Sequence, residues 1–329
     1  MAQRLPARQG RQHAIGIDLG GTKLAAGLVS QDGGVVCRVR RDTPADAAAV
    51  LAEIIDVVGE IEDRHHITGL PVGLGVAMIV DSRGVARWGP HLPITDRPVR
   101  DELRAALQRW VSVDNDANVA AWGEYRVGAG VHVTTSLIML TLGTGVGGGL
   151  VLHGRLVRGA QGFAGEFGHV IVDEGGPVCG CGNRGCLEAL ASGTAIGRVA
   201  QEMLAAGATS VLRAVPEVTG KAVAMAAHAG DRMALEVLAR CGFWLGVGIA
   251  SLVNALDPEI VVIGGGAIHA GDLLCKPAEV ALAERLMGRG HRSAPPIVRA
   301  KLGDDAGLVG AALLALEESQ TGPIAAPDN

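Results

Sequence analysis

Aromatic residues are scarce: 3 Phe, 1 Tyr and 4 Trp make up only 2% of the 329 residues. The 48% of hydrophobic residues must therefore come mainly from Ala, Val, Leu and Ile, which suits stacked α/β layers better than an aromatic-rich sandwich. A strong charge of either sign is missing too. A net charge of −5 argues against the general electrostatic footprint of a nucleic-acid or anionic-membrane binder and points to a small soluble substrate. No apolar run approaches the ~20 residues of a membrane span, and Met1 to Gln12, with Arg4, Arg8 and Arg11, has no apolar centre of the kind a signal peptide needs. A cytoplasmic protein with neither nucleic-acid nor membrane partners is expected. Cysteines do not form a disulfide framework: Cys37, Cys241 and Cys275 are scattered while Cys179, Cys181 and Cys186 crowd together, which in a reducing compartment points to a metal.

Two domains are expected, because the chain exceeds the ~150 residues of a typical domain. The 49 glycines are about twice the average usage of ~7% and cluster at the ends of apolar runs, so they read as turns. Ala14 to Asp18, a glycine turn and Leu24 to Val29 read as a hairpin, Ala45 to Glu62 as a helix and Pro71 to Val80 as a buried strand. Asp101 to Arg109 reads as a helix and Val111 to Val113 as a short strand, with Asp114 as cap of a helix from about Asp116 to Tyr125. The plan restarts at Ser136 to Leu142, where an apolar strand runs into a second glycine turn and another strand, so two units of related plan facing one cleft are expected. The expected partition is a polar tail at 1–12, a small α/β domain at 13–122 onto which a helix at 305–318 packs back, a large α/β domain at 123–304, and a disordered tail at 319–329.

Three glycine turns at strand ends suit a nucleotide, because backbone N–H groups approach phosphate only where no Cβ intervenes; each alone is equally a tight turn. Gly143, Gly145 and Gly148 also match G-x-G-x-x-G, with Glu166 about 20 residues on. That dinucleotide fingerprint requires a helix to follow, whereas Leu150 to Leu152 read as strand. Asp114, Asn115 and Asp116 stand where a strand meets a helix; one can simply cap it, and a carboxylate there can also accept a hydroxyl proton. His169, Cys179, Cys181 and Cys186 lie in a glycine-rich stretch. Three thiolates and an imidazole fill a tetrahedral zinc shell and leave no open position, so such a zinc is structural.

Together these residues resemble the ROK family of bacterial sugar kinases and repressors, and within it the zinc-containing glucokinase group, over about His13 to Ala315. Asp18-Leu-Gly-Gly-Thr-Lys23 is similar to the family's first phosphate motif, Thr141 to Gly149 to its second, and Ile263 to Gly266 to its adenosine-side turn. Ala164 to His169 and Cys179 to Glu188 are similar to the family signature. The resemblance implies an α/β, actin-like (ribonuclease-H-like) ATPase fold, with ATP and magnesium in an interdomain cleft, closure on sugar binding, and a homo-oligomer, dimer or tetramer. It implies an ATP-dependent hexose 6-kinase acting on glucose or a glucose-like sugar. Asp116 would be the general base, and Asn115, Glu166, His169, Glu188 and His91 would meet the sugar. Asp18 would help hold magnesium. Gly20, Gly21, Thr22, Lys23, Thr141, Gly143, Thr144, Gly145, Gly264, Gly265 and Gly266 would meet the nucleotide, and His169 with the three cysteines would hold zinc.

Two departures from the group bear on the substrate. The chain continues Met78-Ile-Val-Asp81 after Ala77 where an alanine-glycine element is usual, and has Gly89-Pro90-His91 where Ala-Pro-Asn is usual. A kinase for a modified hexose such as kanosamine (3-amino-3-deoxyglucose) is therefore the alternative. A sugar-responsive ROK regulator is a further one, although the dozen residues before the first expected strand leave no room for a helix-turn-helix.

Overall fold

The computed structural model describes residues 12–321; of the tails expected at 1–12 and 319–329, residues 1–11 and 322–329 lie outside the described residues. The chain runs β1 (His13–Leu19), β2 (Lys23–Ser30), β3 (Val35–Asp42), α1 (Ala47–His65), β4 (Val72–Val76), the small hairpin β5 (Ile79–Val80) and β6 (Ala86–Trp88), α2 (Val99–Leu107), β7 (Val111–Asn115) and α3 (Asp116–Val127). It continues through β8 (Ser136–Leu142), β9 (Val146–Leu152), β10 (Arg155–Leu156), α4 (Leu187–Ala191), α5 (Gly193–Ala205), α6 (Gly220–His228), α7 (Arg232–Leu256), β11 (Ile260–Gly264), α8 (Asp272–Arg285), β12 (Ile297–Arg299) and α9 (Ala306–Thr321).

Among the described residues these strands build two five-stranded sheets, ordered β3-β2-β1-β4-β7 and β10-β9-β8-β11-β12. The two orders correspond position by position. Each has an antiparallel hairpin closed by a glycine turn and two strands added in parallel beside it, so the short repeat read in the sequence is a repeat of whole sheets. β1, β4 and β11 are buried along nearly their whole length, as strands covered on both faces must be. Beside the first sheet, α1 and α2 complete one apolar core; α4 to α8 complete another on the second sheet.

Between the sheets lies a third core, formed largely by α3 and α9. Close approach is secured by glycine: a Cβ on Gly16 or Gly73 would stand 1.9 or 1.8 Å from a carbonyl oxygen of α9, and one on Gly310 would stand 1.7 Å from the oxygen of Val119 in α3. The glycine excess therefore serves helix packing as well as turns, which strand-end clustering alone did not show. A residue of alanine size at Gly310 would cost about 1–3 kcal/mol of strain or displacement.

Several boundaries differ from the sequence reading. The strand expected over 71–80 ends at Val76, where Met78 N bonds back to the Val76 oxygen at 2.7 Å, and the chain resumes as β5. The cap of α3 is Asn115, whose side chain accepts from the Ala117 and Asn118 amides, and not Asp114. α3 extends to Val127, so the expected boundary at 122 falls inside a helix; α9 continues three residues past 318 into the stretch expected to be a tail. Contrary to the absence of any membrane-length apolar run, α7 is 25 residues long and apolar enough to span. Its apolar window is 61% buried and it packs against α4, α5, α6 and α8, which makes it the core helix of the second sheet.

Candidate active site

The parallel strands β1, β4 and β7 place Asp18, Gly75 and Asp114 side by side, and α3 begins just beyond. Asn115 is committed locally: its oxygen accepts from Ala117 N at 2.9 Å and Asn118 N at 3.1 Å, and its amide donates to the Met78 oxygen at 3.1 Å. One amide hydrogen remains for any ligand. Asp116 is the first residue of α3 and accepts from Ala117 N at 2.8 Å. Burial pushes its carboxyl up to about 6, with the Glu166 charge adding to the rise against the backbone bond. Asp18 is pushed up to about 7 by burial and then by Asp116. Glu166 is raised by burial and by Glu188, with His169 opposing. Asp18, Asp116 and Glu166 thus form a row of carboxylates that sense one another, with no cationic side chain in the row.

Glu166 precedes and His169 ends a single turn of 3-10 helix, Phe167–His169, with His169 Nε2 3.8 Å from a Glu166 oxygen. The other ring nitrogen, Nδ1, lies 3.7 Å from Cys179 Sγ, and Cys181 Sγ lies 3.7 Å from Cys186 Sγ. All four ligand atoms fall within 4.8 Å of one another. A tetrahedral zinc with ~2.3 Å bonds to sulfur has edges of about 3.8 Å, so the donors stand at near-coordination spacing, far beyond the ~2.05 Å of a disulfide. Burial pushes the Cys179 thiol up to about 12; a cation is what would displace that proton. Glu188 sits between this cluster and the second glycine turn: one oxygen accepts from Val146 N at 3.0 Å, and the other lies 3.4 Å from Cys179 Sγ.

The first glycine turn is closed by Gly20 N to the Lys23 oxygen at 2.9 Å, and Thr43 Oγ1 donates to the Gly20 oxygen at 2.7 Å. Thr22 and Lys23 are exposed at its tip. His91 packs on this turn, where a Cβ on Gly21 would stand 2.5 Å from the His91 Cβ. The second turn is tied to the start of α5, through Gly193 N to the Gly143 oxygen at 2.8 Å and Thr194 Oγ1 to the Thr144 oxygen at 2.7 Å. Gly145 leaves room for Glu188, whose oxygen would meet a Cβ there at 2.3 Å, and Thr141 faces Gly147 in the same way at 2.5 Å. Gly265, at φ +80°, brings the third turn, Gly264 to Gly266, against the backbone of Leu142.

A cleft of about 680 Å³ runs between these second and third turns and is lined by Gly143, Thr144, Thr194, Lys221, Gly266 and His269 among others. The first turn, with Gly20, Gly21, Thr22 and Lys23, does not line it. Because β9 follows the second turn directly, the dinucleotide fingerprint lacks its helix and that reading fails. Sequence reasoning missed Arg158, Thr43, Thr194 and Lys221. Thr43 and Thr194 are hydroxyls near glycine turns only in space, and Arg158 carries no local signal.

A ROK family profile matches residues 14–318. The glucokinase of Streptomyces coelicolor is 37% identical over 313 residues, 92% of this chain and 97% of that protein. The crystal structure of a ROK family glucokinase from Streptomyces griseus in complex with glucose and AMPPNP is matched with a TM-score of 0.81 at 36% identity, over 93% of this chain and 99% of that one. The ROK hexokinase from Thermus thermophilus is matched with a TM-score of 0.82 at 38% identity, over 94% and 100%.

Proposed function

The chain belongs to the ROK family and has its actin-like ATPase fold, and from that premise we propose that it transfers the γ-phosphate of ATP to the 6-hydroxyl of glucose. The observation that carries the reading is Asp116. It is a recessed carboxylate at a helix start, its proton affinity raised to about 6, in a chain matched almost end to end by a glucokinase bound to glucose and AMPPNP. An acceptor with that affinity is ionised at neutral pH and still basic enough to take a hydroxyl proton as the O–P bond forms.

Glu166, whose charge acts on Asp116, and His169 beside it would supply acceptor and donor for the remaining sugar hydroxyls. Glu188, with Val146 N on one oxygen, and His91, packed on Gly21, would complete that set. His169 serves two tasks: Nδ1 points to the cysteines, and Nε2 is left to the sugar side. With Cys179, Cys181 and Cys186 it would hold a structural zinc, whose chemistry is to fix the loop between Glu166 and Glu188. ATP occupies the cleft between the second and third glycine turns, its phosphates directed to the first turn. Magnesium would supply charge neutralisation between phosphate and carboxylates, and Asp18, raised by burial and by Asp116, would help hold it. The transition state is loose, so these residues contribute positioning and water exclusion as the halves built on the two sheets close. A cytoplasmic dimer or tetramer belongs to the same reading, on the family resemblance.

The test is ADP release coupled to ATP and magnesium, comparing kcat/KM for glucose, mannose, N-acetylated hexoses and 3-amino-3-deoxyglucose. Glucose should lead. Preference for the amino sugar, which the relatives do not favour, would make His91 the specificity determinant. No turnover with any sugar would leave a sugar sensor.

A further inference from the structure

Two residues before Asp116, Asp114 is another buried carboxylate, and its surroundings are different. Its Oδ1 accepts from Asn115 N at 2.8 Å and from Asn118 Nδ2 at 2.9 Å; its Oδ2 accepts from Arg158 Nε at 2.6 Å. The same guanidinium donates through its second arm to Glu318 of α9 at 3.0 Å. Glu318 in turn accepts from Ser112 Oγ at 2.5 Å, whose oxygen accepts from Trp110 Nε1 at 2.9 Å. A single cation joins the end of β7, the C-terminal helix, and the segment leaving β10.

That segment leads to Glu166. It is closed by Ala164 N to the Arg158 oxygen at 2.9 Å, and it crosses to the β5–β6 hairpin through Ser82 N to the Gln161 oxygen at 3.2 Å. Asn118 packs against the same segment without bonding to it: a Cβ on Gly165 would lie 3.1 Å from its Oδ1, which has no hydrogen-bond partner among the described residues. One end of the segment is thus pinned to the strand that presents Asp116, and the other carries Glu166.

We propose that Arg158 is a positioning residue that sets the separation between Asp116 and Glu166, by locking the 158–166 segment of the second-sheet half onto the end of β7 and onto α9. It touches neither sugar nor nucleotide, and rests on the reading of Asp116 as base. A displacement of about 1 Å between reacting groups costs about 100-fold in rate, and that is the effect expected when the tie is cut.

The experiment is steady-state kinetics of Arg158→Met, Arg158→Lys and Glu318→Gln in the full chain with glucose and ATP, alongside thermal melts. Arg158→Met should lower kcat about 100-fold, with KM for ATP within about twofold, because the glycine turns are untouched. Lysine can reach only one of the two carboxylates, and Arg158→Lys should recover about tenfold. Glu318→Gln, which keeps the Asp114 pair and guards against a variant that does not fold, should lose about fivefold in kcat. In an Asp116→Asn background, Arg158→Met should cost less than about threefold more. A folded Arg158→Met with wild-type kcat, a wild-type Glu318→Gln, or a full 100-fold loss persisting without Asp116 overturns the positioning role. Wild-type turnover by Asp116→Asn itself overturns the base assignment instead.

Discussion

The candidate site holds two groups of side chains that burial makes costly, and they differ in how they are completed. His169, Cys179, Cys181 and Cys186 converge on one point at coordination spacing, a shell that a single cation fills. Asp18, Asp116 and Glu166 stand in a row whose proton affinities are raised by burial and by neighbouring carboxylates, and among the described residues only His169, beside Glu166, opposes that rise. The contrast recurs within three residues of one strand end, where Asp114 has Arg158 at 2.6 Å and Asp116 has no cationic partner among the described residues. Under the proposed reading, compensated groups would hold the site in shape, and uncompensated ones would be left for magnesium, phosphate and the sugar hydroxyl.

The largest effect expected from breaking this contrast is removal of zinc. Structural zinc contributes about 10–16 kcal/mol in small peptides, so chelation should disorder the 166–188 region and abolish glucose binding measured by calorimetry; a metal-free protein that binds glucose normally would contradict the structural role. Next comes Asp116→Asn, which should lower kcat by about 10³, within the range of general-base removal, while glucose binding stays measurable. Asp114→Ala should act on the fold instead. Leaving Arg158 with Glu318 as its remaining carboxylate partner should cost about 2–4 kcal/mol in urea unfolding, at the low end of buried-pair disruption because the arginine is partly solvated and keeps one ion pair.

The smallest effect concerns pH and stability. Asp18 and Asp116 bind protons more tightly folded, at about 7 and about 6, than unfolded, at about 3.9. Between pH ~4 and ~7 the folded chain therefore holds protons the unfolded chain has released, and the stability from these groups is lost as pH rises through that window. Asp18→Asn should raise the melting temperature of the unliganded protein most at pH 8, about half as much at pH 5.5, and little below pH 4; equal shifts at pH 8 and pH 4 would mean that Asp18 is not strained by its charge.

Much of this was legible because the signals were local. Glycine turns at strand ends, a cysteine cluster in a glycine-rich loop, and polar residues at the end of β7 all announce themselves within a few positions. The repeat of sheets was legible for the same reason. Arg158 was not, since its partners lie 44 and 160 residues away in sequence and an arginine after a strand has no pattern. Nor was the helix-packing role of Gly16, Gly73 and Gly310, which depends on what lies opposite, or the boundary inside α3, a helix that belongs to the interface between the sheets.

The central claim, that Asp116 takes the sugar proton, is tested most directly by the pH dependence of kcat/KM for glucose in the wild type and in Asp116→Asn. The account predicts an acidic limb near pH 6, falling about tenfold per unit below it, and no such limb in the residual activity of the variant. A wild-type profile flat down to pH 5, or the same limb persisting in Asp116→Asn, would contradict it.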